Sequence, residues 1–296
     1  MVSNTYNLPE PLVKALTPDR KAPVFGRISV TSLIDSPLRR VLAMRYYGQT
    51  NEDVSEGLWA LLGTMGHRVL EGGSDCAEVK IEAPFNGATL VGVVDHTKDG
   101  EVIDFKFTSV WSVVFPKPEN ELQLQIYAYL VQSTGLPVTK LSNWMILRDW
   151  NKREAQRNQE MPRIAFHKIS YKPWPKDKIE AYLTERVSLH LSAEKYAQNG
   201  SQEEIPASLW CSPEERWERP SKWAAKTVGK DRAVRLFDSE QECSDFVHGT
   251  KMFLEHRPGE SVKCNDYCQY SAWCPRLNSP DPGCAGVGAD LKREVQ

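Results

Sequence analysis

GVVDHTKDGEVIDFKFTS, residues 92–109, reads as two short strands joined by a tight turn at Lys98-Asp99-Gly100. Side chains alternate along a strand, so Asp104 and Lys106 share one face of the second strand while Phe105 takes the other. A hairpin brings Asp95 of the first strand beside that same face. Two carboxylates and one ammonium at a strand edge suit a hard divalent cation, with the lysine steering a water or a developing charge. The same alternation also describes a solvated hairpin face with an ordinary ion pair. The elements on either side decide between the two.

Upstream, a helix is predicted from Ser29 or Thr31, as its cap, to about Tyr47, with Arg39 and Arg40 early in it. A second helix is predicted over about Leu58–Leu70, with Leu58, Leu61, Leu62, Met65 and Val69 as its apolar stripe. It carries His67 beside Gly63 and Gly66. Each helical glycine costs about 1 kcal/mol relative to alanine, so the pair marks a place where a backbone or ligand comes close. Three strands follow, over 78–85, 88–96 and 101–108, the first two joined by Asn86-Gly87.

Downstream, a helix over 119–133 sets Leu122, Ile126, Tyr129 and Leu130 on one face, and Gln123 and Tyr127 one turn apart on another. A strand over 138–150, a polar loop and a strand over 163–171 complete the unit. The loop carries Arg148, Lys152, Arg153, Arg157 and Arg163, flanked by Trp150 and Trp174. It reads either as a solvated charged loop or as a phosphate contact with base stacking. The order helix–βββ–helix–β indicates an α/β fold with a mixed central β-sheet flanked by helices.

The remaining chain falls into recognisable segments. Residues 1–27 read as an extended lead-in punctuated by proline, and 28–200 as the core with a helical extension over 176–198. Residues 201–284 are rich in cysteine and tryptophan, with a hairpin around Val228-Gly229-Lys230 and a helix over 238–256; residues 285–296 read as a disordered tail. The net charge of −2 excludes bulk electrostatics as a route to nucleic acid, so any phosphate contact must come from a local basic patch. No apolar run approaches a membrane span, and the N-terminus lacks the apolar middle of a secretory signal, so a cytoplasmic location is expected.

Four of the seven cysteines lie in the last 33 residues, a distribution that points to metal rather than disulfides in a reducing compartment. Cys264, Cys268 and Cys274 are spaced C-x3-C-x5-C. Zinc and iron–sulfur centres usually take four such ligands. Cys211, in an ordered-looking segment, and Cys284, beyond Pro280 and Pro282, are the candidates for the fourth, with Cys211 preferred. Cys76 and Cys243 read as ordinary thiols.

Taken in order, Gly63-Thr-Met-Gly-His67, Gly92-Val-Val-Asp95, Asp104-Phe-Lys106 and Gln123-Leu-Gln-Ile-Tyr127 resemble the RecB-like branch of the PD-(D/E)XK nuclease superfamily. That branch uses a helix histidine, a GxxD aspartate, a (D/E)xK pair and a QxxxY helix motif. The three-cysteine knuckle is similar to that of its iron–sulfur members, including the AddB nuclease domain. Two departures stand out. Ser36 occupies the place before Pro37 where those relatives carry a distal cysteine, and three residues rather than two separate Cys264 from Cys268.

The resemblance implies a restriction-endonuclease-like core with a cysteine-ligated C-terminal segment packed on it. It implies Mg²⁺ or Mn²⁺ held by Asp95, Asp104, His67 and the Phe105 carbonyl, with Lys106 completing the catalytic set. Gln123 and Tyr127, with Arg39 and Arg40 as weaker candidates, are expected to bind substrate. Cys211, Cys264, Cys268 and Cys274 are expected to hold a 4Fe–4S cluster, with Zn²⁺ as the alternative. The implied activity is exonuclease cleavage of DNA with a free or single-stranded end, alone or with a helicase or recombination partner. The alternatives are a structure-specific endonuclease and a non-catalytic DNA- or partner-binding protein with a zinc knuckle.

Overall fold

Asp99 and Gly100 both adopt positive φ, 49° and 77°, and turn the chain sharply between two antiparallel strands. They belong to a computed structural model that describes residues 2–17, 21–72, 77–198 and 205–278. Cys76, Cys284 and the 285–296 tail lie outside the described residues. The chain divides into two units, Met1–Glu203 and Glu204–Gln296.

In chain order the first unit contains β1 (Val2–Ser3), α1 (Glu10–Leu16), β2 (Arg27–Ser29), α2 (Val30–Ile34), α3 (Pro37–Arg45), β3 (Glu52–Asp53) and α4 (Leu58–Glu71). Then come β4 (Ala77–Phe85), β5 (Ala88–Lys98), β6 (Glu101–Thr108), α5 (Trp111–Val114), α6 (Pro118–Ser133), β7 (Lys140–Leu147), α7 (Lys152–Arg157), β8 (Phe166–Tyr171) and α8 (Lys176–Gln198). The central sheet runs β2-β5-β6-β7-β8, with β4 paired to β5. Its β2–β5 and β6–β7 pairs are parallel and its β4–β5, β5–β6 and β7–β8 pairs antiparallel, so the sheet is mixed, as expected.

The main core lies between this sheet and helices α2, α6 and α8. Leu90, Val94, Val102 and Leu141 from the strands meet Leu124, Ile126, Leu130, Ile179, Leu183 and Val187 from α6 and α8. Gly92 lets α6 approach closely. A Cβ there would lie 2.6 Å from Leu130 Cδ1 and 3.0 Å from Tyr127 Cε1.

Several expectations are corrected. The lead-in is not wholly extended, since Pro11 sits in the first turn of α1, where a missing N–H costs nothing. The single helix predicted over 29–47 is two. Ser29 caps α2 by accepting from the Ser32 N–H, 3.1 Å away, and Pro37 then starts α3 after Ser36 is held extended at ψ 136°. Asn151 caps α7 inside the predicted loop. Most consequentially, no residue of α4 is buried, and Leu58, Leu62, Met65 and Val69 face solvent instead of the core.

The second unit contains β9 (Glu218–Arg219), β10 (Lys222–Thr227), β11 (Arg235–Phe237), α9 (Glu240–Val247), β12 (Met252–Arg257), β13 (Glu260–Ser261) and α10 (Pro275–Asn278). The strands β11-β10-β12 form an antiparallel sheet whose core is Ala225, Phe237 and Cys243, packed by Trp223, Phe246 and Leu254. The helix predicted over 238–256 ends at Val247. Ser239 caps it, Gly249 at φ 71° reverses the chain, and Met252–Arg257 pairs along all of β10. Strand pairing has overridden the helical pattern there.

Candidate active site

The site forms where β5 and β6 part. Their pairing runs from Lys98↔Glu101 to His96↔Ile103. Just beyond it the Asp95 carboxylate takes the Phe105 N–H, at 2.8 Å. Asp104 lies on the α6 side of β6, two residues from Val102 in the core, and is buried. Phe105 and Phe107 point to the opposite side, where both rings make edge contacts with His67 of α4. The close packing of α4 depends on Gly66, where a Cβ would fall 2.0 Å from the Phe107 ring. Gly63 has no such neighbour. The alternation read from the sequence thus holds, and it sends the catalytic candidates to two sides of one strand.

Lys106 is held on both sides. Its ammonium donates to Asp104 Oδ1 at 2.9 Å and to Gln123 Oε1 of α6 at 2.8 Å. Gln123 in turn donates to the Tyr127 hydroxyl at 2.9 Å. The two residues one turn apart on α6 therefore form a relay that ends on the lysine. Tyr127 is buried against Gly92, and burial pushes its phenol up to about 12, so it stays neutral. Any hold of Tyr127 on substrate would therefore run through Gln123. Its place is behind Gln123.

On the other side, His67 Nδ1 lies 3.5 Å from Asp95 Oδ2. Two acids that the sequence reading did not single out extend this edge. Glu71 is four residues after His67 on the same helix face, and Glu78 lies across the β4–β5 pair from Asp95. They share a hydrogen bond, which raises the Glu78 carboxyl above its ordinary value. Gly63, Thr64, His67, Arg68, Glu71 and Glu78 line an open cleft. Glu71 was findable from its helical spacing; Glu78 needed the register of the sheet.

Burial raises both Asp95 and Asp104. For Asp95 the Phe105 N–H, His67 and Lys106 oppose the rise; for Asp104, Lys106 opposes it and the Asp95 charge adds to it. Among the described residues no three His, Cys, Asp or Glu side chains gather closely enough to hold a metal ion. The donors come in pairs rather than as one cage. Their chemistry nevertheless fits a hard divalent cation. Two oxygen-donor carboxylates are desolvated, Asp104 within reach of the Asp95 charge, and Lys106 is hydrogen-bonded between Asp104 and Gln123 of α6.

The arginines are corrected in part. Arg40 is buried and bound to Glu194 of α8, with its Nη2 also donating to the Val24 and Arg27 carbonyls at 3.0 Å. A guanidinium so enclosed cannot contact substrate. Arg39 is partly exposed and paired with Asp35. Trp150 and Trp174, the flanking aromatics of the basic loop, are half-buried, their indole N–H groups donating to the Pro162 carbonyl and to Glu121.

In the second unit, Cys264 and Cys274 sit on either side of Cys268. Burial raises both thiols, and Cys268 raises each of them further. Cys264 also feels Cys274. The Cys211 carbonyl accepts from Arg216, whose own carbonyl takes the Lys263 N–H at 3.0 Å, one residue before Cys264. Cys243 is a buried core thiol, packed with Ala225 and Phe237.

The family model of the PD-(D/E)XK nuclease superfamily matches residues 33–275. No curated protein matches the chain. Among solved structures, SSO0001 is 22% identical over 68% of this chain and 96% of its own, with a TM-score of 0.43. An alkaline exonuclease from Laribacter hongkongensis is 14% identical over 59% of this chain and 91% of its own, with a TM-score of 0.37. A phage-related exonuclease from Haemophilus somnus 129PT is 16% identical over 46% of this chain and 67% of its own, with a TM-score of 0.28.

Proposed function

The chain belongs to the PD-(D/E)XK nuclease superfamily, and from that premise we propose a deoxyribonuclease of the RecB-like, AddB-like branch that hydrolyses phosphodiester bonds at DNA ends. The observation that carries the reading is Lys106, held by hydrogen bonds between Asp104 and Gln123. Asp95, Asp104, His67 and the Phe105 carbonyl would hold Mg²⁺ or Mn²⁺. Such a cation, when bound, polarises the phosphate and generates a nucleophilic water at neutral pH. Lys106 orients that water or meets the charge that develops on the phosphate. Gln123 fixes the ammonium, and Tyr127 fixes Gln123. The preference for ends rests on the four motifs in order, a set characteristic of end-processing relatives.

The same reading gives residues 28–200 the nuclease role and 201–284 the cysteine centre. Cys211, Cys264, Cys268 and Cys274 would hold a structural 4Fe–4S cluster, or Zn²⁺ in its place. The C-x3-C-x5-C spacing supports this, as does the hydrogen-bonded link from Cys211 through Arg216 to Lys263, next to Cys264. The expected partner is DNA with a free or single-stranded end, in the cytoplasm, with a helicase or recombination protein. No helix among the described residues is long and apolar enough to cross a membrane.

The test incubates the purified chain and its Lys106→Ala and Asp95→Ala variants with end-labelled linear and closed circular DNA and Mn²⁺. Loss of linear-DNA cleavage in both variants, with circles spared, is the expected result. Equal degradation by all three proteins sinks the assignment, and cleavage of circles favours the endonuclease. A coloured protein containing iron identifies the cluster; a colourless one containing zinc, prepared without air, excludes it.

A further inference from the structure

Among the exposed aromatic side chains of the first unit, three share one corner of the fold: Trp59 is 66% exposed, Trp111 61% and Phe115 69%. A globular chain rarely leaves such rings uncovered without a use for them. All three lie at the end of the strand that carries the catalytic lysine. Thr108 closes β6, two residues after Lys106, and its carbonyl accepts from the Arg148 N–H at 3.0 Å. The Arg148 guanidinium lies 4.4 Å from the centroid of the Trp59 ring. Next to it, Asp149 accepts from the Ser109 hydroxyl at 2.6 Å and from the Val110 N–H at 2.7 Å, which sets the start of α5. That short helix presents Trp111 and Phe115, whose rings are stacked at 6.3 Å with an interplanar angle of 20°. Trp59, Arg148, Trp111 and Phe115 are therefore tied by backbone and side-chain bonds to one corner of the fold.

The chemistry of that corner is specific. Flat aromatic faces take nucleobases, whatever the base, because each has a π-face. Arg148 adds a cation beside the first ring, and Lys152, Arg153 and Arg157 of α7 are exposed a few residues further on. The whole chain carries −2, so this local combination of rings and cations is not a by-product of a basic protein. Within a duplex the bases already stack on each other and offer no free faces at the backbone. Unpaired nucleotides do. Trp150 and Trp174, the rings flanking the basic loop in sequence, are half-buried and hydrogen-bonded, so they are not available for this.

We propose that Trp59, Trp111 and Phe115, with Arg148, form a stacking platform for an unpaired DNA strand leading to the catalytic lysine. This rests on the nuclease reading and adds the strand state of its substrate, together with the residues that select it. A second copy of the chain is the competing occupant, and the test separates the two.

The test measures fluorescence anisotropy of labelled oligothymidylate and of a blunt hairpin duplex, in EDTA so that no cleavage occurs. Proteins compared are the full chain and its Trp59→Leu, Trp111→Leu, Trp59→Phe and Trp111→Phe variants. Each leucine variant should lose about tenfold in single-strand affinity, with duplex affinity changed much less. The phenylalanine variants, which keep a flat ring, should retain most of it and show that the leucine variants failed for want of stacking, not of folding. Equal loss on both DNAs, or no loss on either, overturns the platform. So does a leucine variant that changes the mass of the protein in solution, which assigns the face to self-association. Binding is read without turnover, so wild-type protein that binds single strands but never cuts sinks the nuclease reading alone. Wild-type protein that cuts, with variants that bind unchanged, sinks the platform alone.

Discussion

Asn143 of β7 donates a 2.8 Å hydrogen bond to Asp104 Oδ2, and both side chains are buried. The parallel pairing of β6 with β7 puts the two residues directly opposite. Asn143 Oδ1 is itself buried without a hydrogen-bond partner, a cost that a core residue would ordinarily avoid. The arrangement makes sense if the amide is there to orient the carboxylate. A hydrogen bond to a charged group contributes about 1.5–3 kcal/mol. Asn143→Ala is therefore expected to lower kcat by roughly ten- to a hundredfold, with KM little changed. Steady-state cleavage kinetics check this, and an unchanged kcat removes Asn143 from the site.

Gly66 is the contact through which α4 seats on β6. Gly66→Ala puts a methyl group into the Phe107 ring, so either the ring or the helix must shift, and His67 is the next residue on that helix. Overpacking of this kind costs about 1–3 kcal/mol. Cleavage should fall together with thermal stability, and Gly66→Ala/Phe107→Leu should recover much of both. If the single variant keeps full activity, His67 does not need its present position. Gly63→Ala, with open space around it, serves as the helix-propensity control and should be neutral or slightly stabilising.

His190 of α8 is buried beside the Leu33 carbonyl, 3.2 Å from its Nε2. Burial, followed by the charge of Arg186, lowers its pKa from 6.5 to about 4. The native protein thus holds the ring neutral while the unfolded chain protonates it near its ordinary value. The stabilisation is complete above about 6.5 and drains away as pH falls toward about 4. Over that window the wild type should lose up to about 3 kcal/mol relative to His190→Leu. Urea melts of both proteins across the window measure the difference, and parallel curves would falsify the assignment of this acid sensitivity to His190.

Arg40 and Glu194 form a buried pair whose second carboxylate oxygen accepts the Gly26 N–H at 2.8 Å. Breaking such a pair leaves one uncompensated charge, so Arg40→Met should cost about 3–5 kcal/mol, and Arg40→Met/Glu194→Leu should regain most of it. The double variant should bind DNA as the wild type does, because the guanidinium never reaches solvent. A selective loss of DNA affinity in a folded double variant would return Arg40 to the substrate surface. By contrast, Lys152→Ala/Arg153→Ala, on exposed α7, should weaken binding to any DNA and flatten its salt dependence.

The parts of this molecule that were legible in the sequence are those governed by local rules. Period-two alternation placed Asp104 and Lys106 on one face and Phe105 on the other, and the Asp99-Gly100 turn closed the hairpin that holds them. The 3.6-residue period put Gln123 and Tyr127 on one side of α6, and α8 lies over the residues expected. Where local rules met a longer-range competitor they failed. Residues 252–257 carry a helical pattern but pair along β10, and the apolar stripe of α4 meets no core. Arg40 looked like a surface charge until Glu194, far away in the chain, was brought against it.

From the sequence alone came the motif order, the mixed α/β fold and the acid–lysine pair, because each depends on residues a few positions apart. Only the tertiary structure decided what each polar group is bound to. It turned Tyr127 inward behind Gln123, set Asn143 on Asp104, joined Glu78 to the edge of His67 and Asp95, and brought Arg148 over Trp59. Spacing fixes the direction in which a side chain points along its own strand or helix. The group that meets it there comes from sheet register and helix packing, which no local pattern encodes.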